Sequence, residues 1–148
     1  MSTPLPSAGF TPAETLAEAD ETFWTATTEG RLLLPRCESC ATVFWYPRPF
    51  CPRCGGRDVT WFQASGEATV YTYTVVRKAR GEYRELTPYV VAYVELAEGP
   101  RILTNIVGCD PAEVRVGQPV TLLFDAPAPA GDDGEGVRAR LYRFRPAG

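Results

Sequence analysis

The chain has 148 residues, with 15 lysines and arginines, 18 aspartates and glutamates and no histidine, giving a net charge of −3. That length allows one core, or a smaller core plus a metal-stapled module, and the acidic balance argues against a general nucleic-acid binder. Without histidine, the chain alone cannot build a Ser-His-Asp triad, a Cys-His dyad, a histidine base or a His-bearing catalytic zinc. Acid–base chemistry would fall to carboxylates, tyrosines or the single lysine, Lys78, and none of these stands in a catalytic motif. There is no P-loop or dinucleotide fingerprint. No apolar run approaches the ~20 residues of a membrane span.

The first ten residues lack a basic and an apolar region, so they read as a disordered tail (1–10) and not as a signal peptide. A helix start follows: Thr11 as cap, Pro12 in the first helical position, and Glu14 closing a capping box. Leu16, Ala19, Phe23 and Trp24 then share one stripe, and Gly30 is a stop. The stripe reads as contacts to the chain's own core in preference to a partner-docking face. Residues 31–36, with Leu32, Leu33 and Leu34, read as a strand leading into the first knuckle, and 11–34 as an N-terminal helical segment.

Residues 35–60 carry the strongest motif. Two Cys-x-x-Cys pairs, Cys37/Cys40 and Cys51/Cys54, are separated by ten residues. Four thiolates in two short knuckles make a tetrahedral sulfur cage, which suits Zn²⁺ or, less often, a single iron. Gly55 and Gly56 let the backbone fold back under the metal. Disulfides would need a secretory setting, and a redox dithiol uses one Cys-x-x-Cys on a strand–helix turn, so a structural metal is preferred. A closed four-cysteine site leaves no position for water and is structural. Reduced cysteines point to the cytoplasm. Phe44, Trp45 and Tyr46 are expected to pack around the metal hairpin, and Arg48, between Pro47 and Pro49, is held extended.

From Trp61 onward the texture is all-β. Residues 67–77, 89–96, 102–107, 120–124 and about 137–144 read as short strands. Gly99-Pro100 is a turn, and Asp110-Pro111-Ala112-Glu113 repeats the capping logic for one helical turn. Residues 127–136 read as a mobile hairpin loop. Five strands with a helical element after the third is the plan of an OB-fold barrel, here 61–148.

Blocks spread over most of the chain carry a family resemblance: FWTATTEGRLLLPRC from Phe23, CESCATVFWYPRPFCPRCGG from Cys37, ASGEATVYTYTVV from Ala64, PYVVAYVELAEGPRILTNIVGCDPAEVRVGQPV from Pro88, and the RFRPA ending. The sequence resembles the zinc-ribbon/OB-fold acyl-CoA-associated proteins, long catalogued as a domain of unknown function. That resemblance implies a mainly β protein with an N-terminal helix, a rubredoxin-like zinc ribbon and an OB domain. It further implies a subunit that binds acyl-CoA and completes a thiolase-superfamily enzyme, including steroid side-chain aldolases. Ala41 departs from the family pattern, which favours glycine there. The basic stretch 77–87 departs as well and is expected to be partner-specific.

Three functions compete. The first is a non-catalytic accessory subunit of a thiolase-like enzyme, a hetero-oligomer that takes acyl-CoA, with Zn²⁺ as a structural cofactor. CoA phosphates call for arginines near an apolar groove, and Arg77, Lys78, Arg80 and Arg84 form one candidate cluster, with Arg48 beside Arg53 another. Plain surface solubility is the competing reading for these cations. The second is a single-strand nucleic-acid binder stacking bases on Tyr71 and Tyr73, which the charge disfavours. The third is an enzyme with Cys109 as nucleophile, activated by the helical turn after it. With no histidine to serve as its base, Cys109 reads instead as a small buried residue at a strand end.

Overall fold

The computed structural model describes residues 18–126 and 139–148. The expected tail, the Thr11–Pro12–Glu14 cap, Leu16 and the 127–136 loop lie outside the described residues, as does the side chain of Ala19. The described part of the helix, α1, spans Glu18–Thr28. It stops as expected: Gly30 takes φ 73°, its amide donates to Thr27, and the Arg31 amide reaches back to Ala26. Those two bonds satisfy carbonyls that the end of a helix otherwise strands. Phe23 and Trp24 are both buried against the chain's own core, as the stripe implied.

Two strands frame the ribbon. β1 (Leu33–Cys37) pairs antiparallel with β2 (Val59–Gln63), from Leu33 opposite Gln63 to Cys37 opposite Val59. The sequence pattern missed β2, because its partner lies beyond both knuckles and no local alternation marks it.

The remaining strands close into a barrel: β3 (Glu67–Val76), β4 (Tyr89–Leu96), β5 (Arg101–Ile106), β6 (Pro119–Phe124) and β7 (Tyr142–Pro146). Their order around it is β3-β4-β5-β7-β6, with β6 returning to β3. All pairs are antiparallel except β5 with β7, which meet in parallel at Ile106 and Phe144. This is OB-fold topology, with a short 3₁₀ turn, Pro111–Glu113, after the third barrel strand. Asp110 caps that turn, its Oδ1 accepting from the Ala112 amide at 2.9 Å. Val70, Val90, Val94, Ile102, Val120 and Phe144 fill the barrel, each fully buried.

One boundary differs from expectation. The last strand begins at Tyr142, not near 137. The residues just before it bond elsewhere: the Arg140 amide donates to Thr27 Oγ1 of α1, and Arg140 Nε to the Asp125 carbonyl. Within the basic stretch after β3, Gly81–Leu86 forms a 3₁₀ helix.

An aromatic cluster joins helix, ribbon and barrel. The ring of Phe23 lies 4.8 Å from Trp45 of the knuckle loop and 6.0 Å from Tyr142 of β7. Trp24 stacks on Tyr142 at 6.1 Å, with 25° between the ring planes. Such edge and offset contacts add to the hydrophobic gain from burial. They also explain why Trp45 packs against the main core, whereas Phe44 packs against Cys37 and Cys51.

Candidate metal centre

Each Cys-x-x-Cys folds into the same turn. The Ala41 amide donates to the Cys37 carbonyl at 2.8 Å, and the Gly55 amide to the Cys51 carbonyl at 2.9 Å. One further bond closes each knuckle, from the Cys37 amide to the Thr42 carbonyl in the first and from the Cys51 amide to the Gly56 carbonyl in the second. Cys37 ends β1, so the sheet with β2 fixes the first knuckle.

The four sulfurs converge. Cys37 Sγ and Cys54 Sγ are 3.6 Å apart, as are those of Cys40 and Cys51, and all four lie within 4.8 Å of one another. A tetrahedron with Zn–S bonds of about 2.3 Å has edges of about 3.8 Å, so these separations fit a zinc ion. Cys37 and Cys51 are buried and Cys54 is exposed. Backbone amides point at the sulfurs, from Arg53 to Cys51 and from Gly56 to Cys54. Such donors stabilise thiolate charge.

The thiols are unequal. Thr42, whose hydroxyl oxygen sits 3.1 Å from the sulfur, pulls Cys40 down to about 6. The Gly56 amide favours the Cys54 thiolate, but the sulfurs of Cys37, Cys40 and Cys51 together with burial outweigh it and push Cys54 up to about 11. Thiolates crowded this closely repel, and a divalent cation relieves that repulsion. The four cysteines are thus positioned to bind a structural zinc.

The expected anion-binding side chains fall on two separate elements. Arg77, Lys78, Arg80 and Arg84 are exposed along the connection from β3 to β4, while Arg48 is half-buried in the loop between the knuckles. None of the five makes an ion pair with another described residue.

Tyr71 and Tyr73 do not form the single stacking face expected of them. The register slips between Val70 and Thr72, so Thr72 pairs with Tyr93 and Tyr73 falls opposite the buried Ala92. Tyr71 lies under the Arg101 guanidinium at 3.8 Å, and both tyrosines remain exposed, at 47% and 37%. The bulge splits the pair.

The helical turn does not activate Cys109: partial burial and the carboxylates of Glu113 and Asp110 push its thiol up. A turn of three residues supplies too little dipole to offset them.

The sequence pattern also missed a buried polar network. Arg143 of β7 donates through Nε and Nη2 to Asp125 Oδ2, at 3.2 and 3.0 Å, and through Nη1 to Asn105 Oδ1. Asn105 in turn donates to the Val90 carbonyl. The network spans the junction where β5 and β7 share a single register pair. No local motif announces it, because its members lie 18 and 38 positions apart.

A rubredoxin-type zinc ribbon followed by a five-stranded OB barrel defines the class of protein. Residues 24–60 match the ChsH2 rubredoxin-like zinc ribbon domain, and residues 61–125 the ChsH2 C-terminal OB-fold domain. The chain is 41% identical over 114 residues to a DUF35 domain-containing scaffold protein of Methanocaldococcus jannaschii, covering 75% of this chain and 78% of that one. It is 42% identical over 104 residues to a probable enoyl-CoA hydratase alpha subunit of Thermomonospora curvata, covering 70% of this chain but 32% of that one. Among solved structures, the Ltp2-ChsH2(DUF35) aldolase superposes with a TM-score of 0.76 at 35% identity, over 89% of this chain and 97% of that one. The chain belongs to the DUF35 family of ChsH2-type zinc-ribbon and OB-fold proteins.

Proposed function

We propose that the chain is a non-catalytic accessory subunit that assembles with a thiolase-superfamily enzyme and helps it hold an acyl-CoA. The observation that carries this reading is the likeness to the ChsH2 chain of the Ltp2-ChsH2(DUF35) aldolase, which this chain matches over almost its whole length. The scaffold and hydratase-subunit relatives support it. In this reading Cys37, Cys40, Cys51 and Cys54 ligate one Zn²⁺ that fixes the ribbon, and the chemistry belongs to the partner. Arg77, Lys78, Arg80 and Arg84, with Arg48, draw the CoA phosphates, since guanidinium groups match phosphate geometry. The working division is tail 1–10, helical segment 11–34, ribbon 35–60 and OB domain 61–148, in a cytoplasmic hetero-oligomer. Among the described residues, no helix is long and apolar enough to cross a membrane.

The test is co-expression with a thiolase-like enzyme from the same genome, followed by co-elution and turnover on acyl-CoA substrates. The complex should elute together, and the enzyme alone should be slower or less stable. Full turnover and the same stability without this chain would remove the proposal. A filter-binding assay at low salt checks the alternative of a single-stranded nucleic-acid binder, and no retention is expected.

A further inference from the structure

Beside α1, on the outer side of β4, β5 and β7, lies a partly open cavity of about 350 Å³. Its walls include Trp24, Val91, Leu103, Leu141, Tyr142 and Arg143. The volume is at the low end of the ~300–1,000 Å³ typical of ligand pockets, enough for a single ring or a branched chain. Trp24 and Tyr142, stacked on each other, supply an aromatic wall. The proposed subunit role uses none of these residues.

Arg143 gives the cavity its chemistry. The residue is 7% exposed, so water scarcely competes for its donors. A guanidinium carries five N–H groups. Three of them go to Asp125 and Asn105. Among the described residues nothing accepts from the other two, one on each Nη. Asp125 already matches the charge of Arg143, so a second carboxylate would enter a largely apolar site without a counter-charge of its own. A neutral oxygen acceptor satisfies the spare donors and brings no charge with it.

We infer that this cavity binds a small neutral molecule with an apolar ring or branched body and one carbonyl oxygen, a ketone or an amide, which accepts from Arg143. The inference goes beyond the accessory role, which assigns these residues no part.

The experiment titrates the ¹⁵N-labelled, zinc-loaded full chain with cyclohexanone and, separately, with cyclohexanecarboxylate. It follows the indole N–H of Trp24 and the side-chain amide of Asn105. The ketone should give saturable shifts at both groups, and the carboxylate should bind at least roughly tenfold more weakly. Leu103→Trp should abolish the ketone shifts while keeping the melting temperature and zinc content, because Leu103 is 49% exposed and can widen without crowding the core. Shifts that are absent or never saturate would overturn the proposal, as would shifts unchanged in Leu103→Trp or equal binding of the carboxylate. Shifts that appear on concentrating the protein without any probe would assign the groove to a second copy and overturn it too.

Discussion

Ala41 and Gly55 occupy the same place in the two knuckles, each donating its amide to the carbonyl of the first cysteine of its pair. Both are left-handed, with φ of 62° for Ala41 and 76° for Gly55. Only Gly55 is suited to that region, because a Cβ there meets the following carbonyl oxygen, at a cost of roughly 1–2 kcal/mol. Ala41→Gly removes that strain but adds unfolded-state entropy, so the expected net gain is under about 1 kcal/mol. Thermal melting of the zinc-loaded variant should show a small upward shift. A lower melting temperature would mean that the Ala41 methyl contributes contacts that outweigh its strain.

The ribbon depends on its metal more than on its core. Apart from the buried cluster of Cys37, Phe44 and Cys51, its knuckles are largely exposed. Structural zinc contributes on the order of 10 kcal/mol in small modules. Cys51→Ser should therefore lose the zinc and unfold the ribbon, while the barrel, closed on its own five strands, keeps its β signal. Elemental analysis with amide-proton spectra reads both outcomes. A chelator that strips the metal and leaves the melting profile unchanged would contradict this.

What was legible in the sequence is what short-range chemistry specifies. Cys-x-x-Cys spacing places two sulfurs on one turn whatever the rest of the chain does, and the alternation of Val90, Ala92, Val94 and Leu96 marks an inner face by itself. Asp110 capping its own turn belongs with them. Partners set by the closed fold were not legible. β2 depends on β1 across the knuckles, and the start of β7 depends on Arg140 bonding to Thr27 of the helix. The split of Tyr71 from Tyr73 depends on a one-residue register shift against β4. The raised thiol of Cys109 comes first from burial, which the closed fold sets, and only then from Glu113 and Asp110, which the motif itself contains.

The pair of Arg143 and Asp125 is a buried bridge, with side chains 9% and 13% exposed. Removing one partner leaves the other's charge buried alone, which typically costs about 3–5 kcal/mol. Arg143→Ala should lower stability by that amount in denaturant titrations. The double variant Arg143→Met with Asp125→Leu should recover much of the loss, since matched apolar groups need no counter-charge. A double variant as unstable as the sum of its singles would locate the loss in packing or in the bond to Asn105, not in the ion pair.

Cys109 should be a slow nucleophile. Its thiol is held above the usual cysteine range first by burial and then by Glu113 and Asp110. The thiolate is the reactive form, so raising the thiol's pKa depletes it at neutral pH. Iodoacetamide labelling of zinc-loaded protein, read by peptide mass, should be slower at Cys109 than at a free cysteine of equal exposure and should still be rising above pH 9. Glu113→Gln removes one of the opposing charges and should shift the profile to lower pH. A rate already at its plateau near neutral pH would restore the activated thiolate.

Arg77, Arg80 and Arg84 lie on one exposed connection between β3 and β4, part of it organised as the 3₁₀ helix Gly81–Leu86. None of the three is paired with a described carboxylate, and Glu82 and Glu85 offset part of their charge. Exposed guanidinium groups attract a phosphate through a field that salt screens within about 10 Å at 0.1 M. If they draw the CoA phosphates, replacing all three with alanine should raise the apparent substrate constant of the assembled complex, leave kcat nearly unchanged and flatten the salt dependence, with zinc content intact. The measurement is initial-rate kinetics across a salt series, with co-elution checked in parallel. Unchanged kinetics in an intact complex would make the connection plain solvated surface. Loss of co-elution would make it part of the interface, because the arginines would then hold the partner subunit and not its substrate.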